Sequence, residues 1–223
     1  MKNTPELPTT RIPRASSESF PFNKDSEAYV LPRDEIGDLI ESEKLIRAKI
    51  TGRPPGILMH RMNTEALSRE KRAKRTSQIP TREDEAEAAA YRMENGELYI
   101  PSEALYGAIV NAGKAMRFGR TAASQILATI RIFPQKIPLG TSEYEIDERS
   151  AVVMGSRILR ARPLLRKWSI EFYIVIDSNL IAPDSLEVAL RDAGRRVGIL
   201  DFRPQHRGQF GTFILDEFGE VEL

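Results

Sequence analysis

The sequence predicts an α+β fold: an antiparallel sheet of ferredoxin-like β-α-β-β-α-β order, with helices on one face and long insertions. Three observations lead there. Strand-patterned segments occur at Lys44–Gly52, Ala128–Phe133, Trp168–Ile176 and Thr212–Leu215. Two segments with apolar residues at helical spacing, 103–116 and 184–193, fall between those strands. The order of these elements along the chain, strand, loop, helix, strands, strand, helix, strand, matches helices laid on one face of an antiparallel sheet.

Residues 1–42 read as an extended arm. Prolines recur at 5, 8, 13, 21 and 32, and no hydrophobic periodicity is present. Phe20, Phe22 and Tyr29 are anchors suited to docking on a neighbouring surface. The globular domain is expected over 43–223. Lys44 to Gly52 alternates apolar with basic residues, as a half-buried strand does, and Pro54-Pro55-Gly56 ends it before the short apolar run Ile57–Met59. Residues 64–80 are basic and weakly patterned, an exposed loop or a mobile helix. Thr81-Arg82-Glu83-Asp84 resembles a capping box with Asp in place of the usual Glu or Gln. Asn95-Gly96 between Tyr91–Met93 and Glu97–Ile100 predicts a hairpin with a primed turn.

Ser102 is expected to cap the first long helix, running from Glu103 to about Met116 with Ala104, Leu105, Ala108, Ile109 and Ala112 inward. Gly107 and Gly113 weaken that helix intrinsically, so close packing is expected at both. Ser150 to Arg162 reads as strand, and Trp168–Ile176 is the strongest strand pattern in the chain. Asp184-Ser185-Leu186-Glu187 reads as the capping box of the second helix, with Gly194 as its stop.

Composition bounds the function. The chain has 223 residues, 41% hydrophobic and 29% charged, enough for one sizeable core. It contains no cysteine, which excludes disulfides and thiolate chemistry and fits a reducing interior. No apolar run approaches a membrane span, and the first residues have no signal-type stretch, so no membrane contact and a cytoplasmic location are expected. The net charge of +1 conceals uneven charge: ten Lys or Arg stand against two acids between Arg47 and Arg82. Further basic clusters lie at Arg157, Arg160, Arg162, Arg166 and Lys167, and at Arg191, Arg195, Arg196, Arg203 and Arg207. Such clusters beside acidic flanks suit a polyanion-binding face, although solvated helix faces produce charge runs too.

The stretch from Gly194 to Phe213 is the most informative. Glycines at 194, 198, 208 and 211 permit positive φ and close backbone approach. Its arginines offer forked donors for phosphate, and Phe202, Phe210 and Phe213 either stack on bases or fill a core. The residues expected to hold nucleic acid are Lys49, Arg61, Arg157, Arg160, Arg162, Arg195, Arg203, His206, Arg207 and Phe210. Catalytic constellations are sparse. His60 and His206 are the only histidines, and no HExxH, P-loop, G-x-S-x-G or metal-spaced carboxylate cluster occurs. Asp147 and Asp201 read as turn or capping residues. No cofactor, no metal and no enzymatic activity are expected. The alternatives are a metal-independent RNA-processing nuclease using His206, or a structural, protein-interaction subunit of a phage or defence assembly.

Two motifs carry a resemblance. Pro101-Ser102-Glu103-Ala104-Leu105-Tyr106-Gly107-Ala108-Ile109 resembles the Pro-Ser-Ser, small-residue helix element of the RAMP superfamily, which supplies RNA-binding backbone subunits of CRISPR effector complexes. Gly208-Gln209-Phe210-Gly211-Thr212-Phe213 is similar to the terminal glycine-rich motif of those proteins. Two departures stand out. Glu103-Ala104-Leu105 replaces the basic residue that commonly precedes the helix glycine, and the terminal loop carries fewer glycines than in RNA-processing members. The resemblance implies an RNA-recognition-type (RRM-type) sheet with long insertions at about 53–82, on the RNA side, and 134–162, the latter a thumb-like hairpin with 134–140 leading out and 150–162 leading back. It also implies a subunit that coats single-stranded guide RNA, with target RNA or DNA, copies of itself in a head-to-tail array and other effector subunits as partners. A phage or mobile-element homologue coating strands without a guide fits the same motifs.

Overall fold

The computed structural model describes residues 33–61, 81–153 and 156–221. The expected arm as far as residue 32 and the stretch 62–80 of the first expected insertion lie outside the described residues. The compact unit that carries the described residues begins at position 32. Residues 33–42, read from the sequence as arm, open with the one-turn helix α1 (Arg33–Ile36). Ile36 is buried, and the Glu35 carboxylate accepts a hydrogen bond from the Gln135 backbone N–H at 3.2 Å.

The main sheet holds β1 (Glu43–Gly52), β6 (Arg131–Phe133), β10 (Ser169–Asp177) and β11 (Phe213–Val221) in the order β11-β1-β10-β6. All neighbours are antiparallel. In chain order these are strands one to four, arranged four-one-three-two, which is the ferredoxin-like order expected. Period-two alternation explains the burial: Ile46, Ala48 and Ile50 of β1 share the core with Ile170, Phe172, Ile174 and Ile176 of β10. Two helices cover that face. From α3 (Ser102–Ala112) come Leu105, Ala108, Ile109 and Ala112; from α5 (Pro183–Asp192) come Leu186, Ala189 and Leu190.

Helix ends depart from the sequence reading where proline outweighs hydroxyl capping. Pro101 is the cap residue of α3, with φ −67° and no side-chain cap bond, so Ser102 is already helical and buried. The α-helix ends at Ala112, and a 3₁₀ turn, Gly113–Ala115, follows. Gly113 is packed against Leu127 and Ser124 as expected, whereas a Cβ on Gly107 would meet nothing within 4 Å. Pro183 starts α5 after Ala182, so the expected Asp184 capping box does not form. Nor does Gly194 stop that helix. It lies inside a π turn, Ala193–Val197, where a Cβ would overlap the Phe213 carbonyl; this glycine lets α5 sit tightly on β11. By contrast, the box at Thr81 does form and opens α2 (Arg82–Ala89), with Asp84 donating its backbone N–H to the Thr81 hydroxyl at 3.1 Å.

The Asn95-Gly96 turn is present in another form. Gly96 donates to the Met93 carbonyl at 3.0 Å, and only Gly96 takes positive φ. That arrangement is a turn over Glu94-Asn95 followed by a left-handed glycine, so a primed two-residue turn does not form. Between β3 (Tyr99–Pro101) and α3 there is no gap, and β3 pairs with β7 (Lys136–Pro138). The hairpin expected over 134–162 is built differently. Its outgoing limb is β8 (Glu145–Val153) and its return limb β9 (Ser156–Leu165), while the 134–140 segment stays on β3. The short β2 (Ile57–Leu58) adds to β9, and α2 packs beside it. After α3 come β4 (Arg117–Phe118), β5 (Thr121–Ala122) and α4 (Ala123–Leu127). Among the described residues no helix is long and apolar enough to cross a membrane.

Candidate functional site

The glycine-rich loop, residues 198–212, connects the π turn to β11. It is closed on itself by backbone bonds: Ile199 N–H to Gly211 O at 2.9 Å, Phe210 N–H to Phe202 O at 3.0 Å and Gly208 N–H to Arg203 O at 3.0 Å. It is fastened to the start of the chain by Gly211 N–H to Gly56 O at 2.8 Å and Asp201 N–H to Leu58 O at 3.2 Å. A Cβ on Gly211 would overlap the Ile199 carbonyl, and one on Gly208 the Phe202 carbonyl. Here the close approach that glycine allows is by the loop's own backbone, so these glycines build the loop. Leu200, Phe202 and Arg207 take positive φ, which bends the loop outward around Arg203. Arg203 Nη1 donates to the Leu200 carbonyl at 2.6 Å and Nε to the Gln205 side chain at 3.1 Å, fixing the guanidinium on the turn.

The loop, which carries the glycine-rich motif, faces the segment that carries the Pro101–Ile109 motif. Between them runs a cleft of about 400 Å³, lined on one side by Glu103, Ala104, Gly107 and Asn111 of α3 and on the other by Leu200, Asp201 and Arg203. His60, Tyr91 and Pro101 form its end. The i, i+4 spacing of Glu103, Gly107 and Asn111 puts all three on one stripe of α3, away from its core face. Asn111 donates to the Gly107 carbonyl at 2.7 Å, which fixes its amide along the helix. Burial raises the Tyr91 hydroxyl above the usual phenol range, so it stays a donor; its ring meets Tyr99 edge-on at 5.6 Å. Asp201 is held from behind by Arg162, Oδ2 to Nη1 at 3.0 Å. The pair is close enough for strong attraction but not aligned as a hydrogen bond, and the Asp201 oxygen and Arg162 Nε have no hydrogen-bond partner.

No family model and no curated protein matches the chain. Among solved structures it is similar to a chain of the type III-B Cmr-β complex bound to cognate target RNA, determined by cryo-electron microscopy. The TM-score is 0.55 at 10% sequence identity, over 81% of this chain and 61% of that one. The fold is α+β and ferredoxin-like. This chain spans about three-fifths of the length of the one it matches.

In this fold the expected nucleic-acid residues do not all converge. Arg203 lines the cleft. Arg61 is exposed directly after His60 and its charge acts on Tyr91. His206 and Arg207 are exposed on the outer turn of the loop, a 3₁₀ turn over Pro204–His206. Arg195 is 74% exposed on the π turn, 3.7 Å from Asp192. The rest are elsewhere or occupied. Arg160 is bound to Glu85 of α2 at 2.6 Å. Arg162 is buried, with its guanidinium 5.6 Å from the Phe202 ring centre, and so has no face for phosphate. Phe210 is 3% exposed, packed with Leu58 and Leu164 under an Arg149 guanidinium 4.6 Å away; that ring has no face for a base. The side chain of Arg157 lies outside the described residues.

Lys49 lies on the sheet face opposite the helices, 3.6 Å from Glu217. That face is a lattice of matched charges: Arg47 holds Glu171 at 2.7 Å, Arg131 holds Glu43 at 2.9 Å and Thr51 donates to Asp216 at 2.5 Å. The Glu171 hydrogen bond and its charge raise the Arg47 pKa further. The aromatic side chains of the strands there, Tyr173 and Phe133, are buried. Base stacking across the sheet, as an RNA-recognition module does it, has no exposed ring to use. Sequence reasoning missed Glu103, Tyr91, Asn111 and Leu200 as cleft residues and set Asp201 aside as a turn residue. Tyr91 and Asn111 carry no local signal, whereas Glu103 and Gly107 were already inside the flagged motif.

Proposed function

We propose that this chain is a non-catalytic RNA-binding subunit of a CRISPR-type ribonucleoprotein, coating single-stranded guide RNA in repeated copies. The observation that carries the reading is the meeting of the two motif segments across one cleft, with Arg61, Arg203 and Arg207 near it and none of the three in an ion pair among the described residues. Forked guanidinium donors next to an open cleft suit phosphates of a single strand. The likeness in fold to a chain from a complex bound to cognate target RNA supports it. The non-catalytic part of the reading is supported by the separation of roles between the histidines: His60 lines the cleft and His206 sits on the exposed outer turn. Copies of this chain and other effector subunits are the proteins it would assemble with, in the cytoplasm.

The test is a salt titration of a fluorescent, unstructured RNA strand followed by anisotropy. Binding should weaken linearly in log affinity against log salt, and Arg203→Ala and Arg207→Ala should each lower the slope by about 0.7 to 1. No binding at about 50 mM salt, or a slope unchanged in both variants, overturns the reading.

A further inference from the structure

We propose that the cleft beside α3 receives one base turned out of the bound strand, and that it prefers guanine. The proposal rests on the strand-binding reading above and assigns the cleft a role that phosphate contacts do not explain. The volume of about 400 Å³ falls in the range of small-molecule sites, roughly 300–1,000 Å³. One wall is flat because its residues are small: Ala104, Gly107 and Ala108, with open space where a Gly107 side chain would stand. A planar ring can lie against such a wall. Tyr91 and Pro101 add ring surface to the lining, with the His60 side chain beside them.

The polar groups select what kind of ring. Glu103 and Asp201 are carboxylates lining the cleft to which no side chain among the described residues donates a hydrogen bond; Asp201 Oδ2 is buried 3.0 Å from Arg162, which leaves the other oxygen of this part-exposed residue for a ligand. A phosphate placed between two carboxylates would be repelled, so the backbone stays at the arginine rim and the base enters. Carboxylates favour the base that offers them the most donors, and uracil offers only its N3–H. Arg203, on the opposite side from Glu103, adds a donor for ring acceptors. Guanine alone combines two adjacent donors, N1–H and the 2-amino group, with two acceptors, O6 and N7, on its other edge. The acidic residue at 103, a departure from the basic residue common in the resembling motif, thereby acquires a purpose: it reads a base edge. Enzymes that turn bases out read them in this way, by edge hydrogen bonds inside a fitted pocket.

The experiment compares uridine-rich RNA strands of one length carrying a single central G, A, C or U, by anisotropy with the full chain. The G strand should bind about tenfold more tightly than the all-U strand. Gly107→Leu fills the cleft at a helix position with room for a side chain, and should erase the ratio. Glu103→Gln, at an exposed first-turn position, should shrink the ratio and serves should the leucine variant fail to fold. Equal affinity for all four strands, a preference for A or C over G, or a G preference surviving both variants overturns the guanine site while strand binding stands. Failure of every strand to bind overturns the strand-binding reading and this one together.

Discussion

Replacing Phe210 with alanine separates two readings of the terminal loop. If the ring stacks on a base, the variant loses affinity and keeps its stability. The structure requires the reverse. Phe210 is 3% exposed and joins Leu58 and Leu164 in a small cluster under the loop, away from the main core. Truncating a buried Phe to Ala costs about 3–5 kcal/mol. The cluster is small and lies near the surface, so the low end, about 3 kcal/mol, applies, and loss of the Arg149 contact at 4.6 Å adds about 0.5–1 kcal/mol. For a domain of this size each kcal/mol moves the midpoint by about 2–4 °C, which gives a fall of about 7–16 °C. Thermal unfolding followed by circular dichroism measures it, with strand affinity determined well below the midpoint. Phe210→Leu, which keeps most of the volume, should fall by less than about 1.5 kcal/mol. An unchanged midpoint with a tenfold loss of affinity would refute the packing argument.

Two further outcomes are expected. Asp201→Ala leaves the Arg162 charge buried without its partner and should cost about 3 kcal/mol, whereas the double variant with Arg162→Met should cost clearly less than the sum of the singles; strict additivity in a double-mutant cycle would contradict the ion pair. On α2, the Arg92 hydrogen bonds, with help from Tyr144, hold the Glu87 carboxyl below its usual range, and the Tyr144 hydroxyl is pushed up to about 12 by burial and by Glu87. A depressed folded pKa contributes stability above the unfolded value of about 4.3 and loses it as pH falls through the folded value. Glu87→Gln should therefore cost under about 1 kcal/mol at pH 7, since the site is half exposed, and the difference should vanish by about pH 3 in parallel urea titrations.

The sheet order was legible because β1 roughly alternates and β10 is apolar along its length, so that Ile46, Ala48, Ile50, Phe172 and Ile174 share one buried face in the observed register. Helix ends were less legible. Pro101 and Pro183 set the first turns of α3 and α5 by their fixed φ, ahead of the hydroxyl and carboxylate caps that the local pattern offered. Glycine was read correctly as a marker of close approach at 194, 208 and 211, but what approaches is this chain's own backbone. The candidate site was the least visible part. Arg160, Arg162 and Lys49 look alike in sequence to Arg203 and Arg207; their partners Glu85, Asp201 and Glu217 lie 39 or more positions away and meet them only on folding. Charge clusters in a sequence show where cations are, and long-range pairing decides which remain available.

The matched charges on the open sheet face decide where a polyanion is not drawn. Glu43, Glu171 and Glu217 stand beside Arg131, Arg47 and Lys49, so the face offers a polyanion little net attraction. Without those three carboxylates the same surface would be a broad cationic plane, with none of the shape of the cleft, to which any polyanion would adhere without regard to its sequence. The acids of the sheet thus keep its cations from competing with the arginines beside the loop.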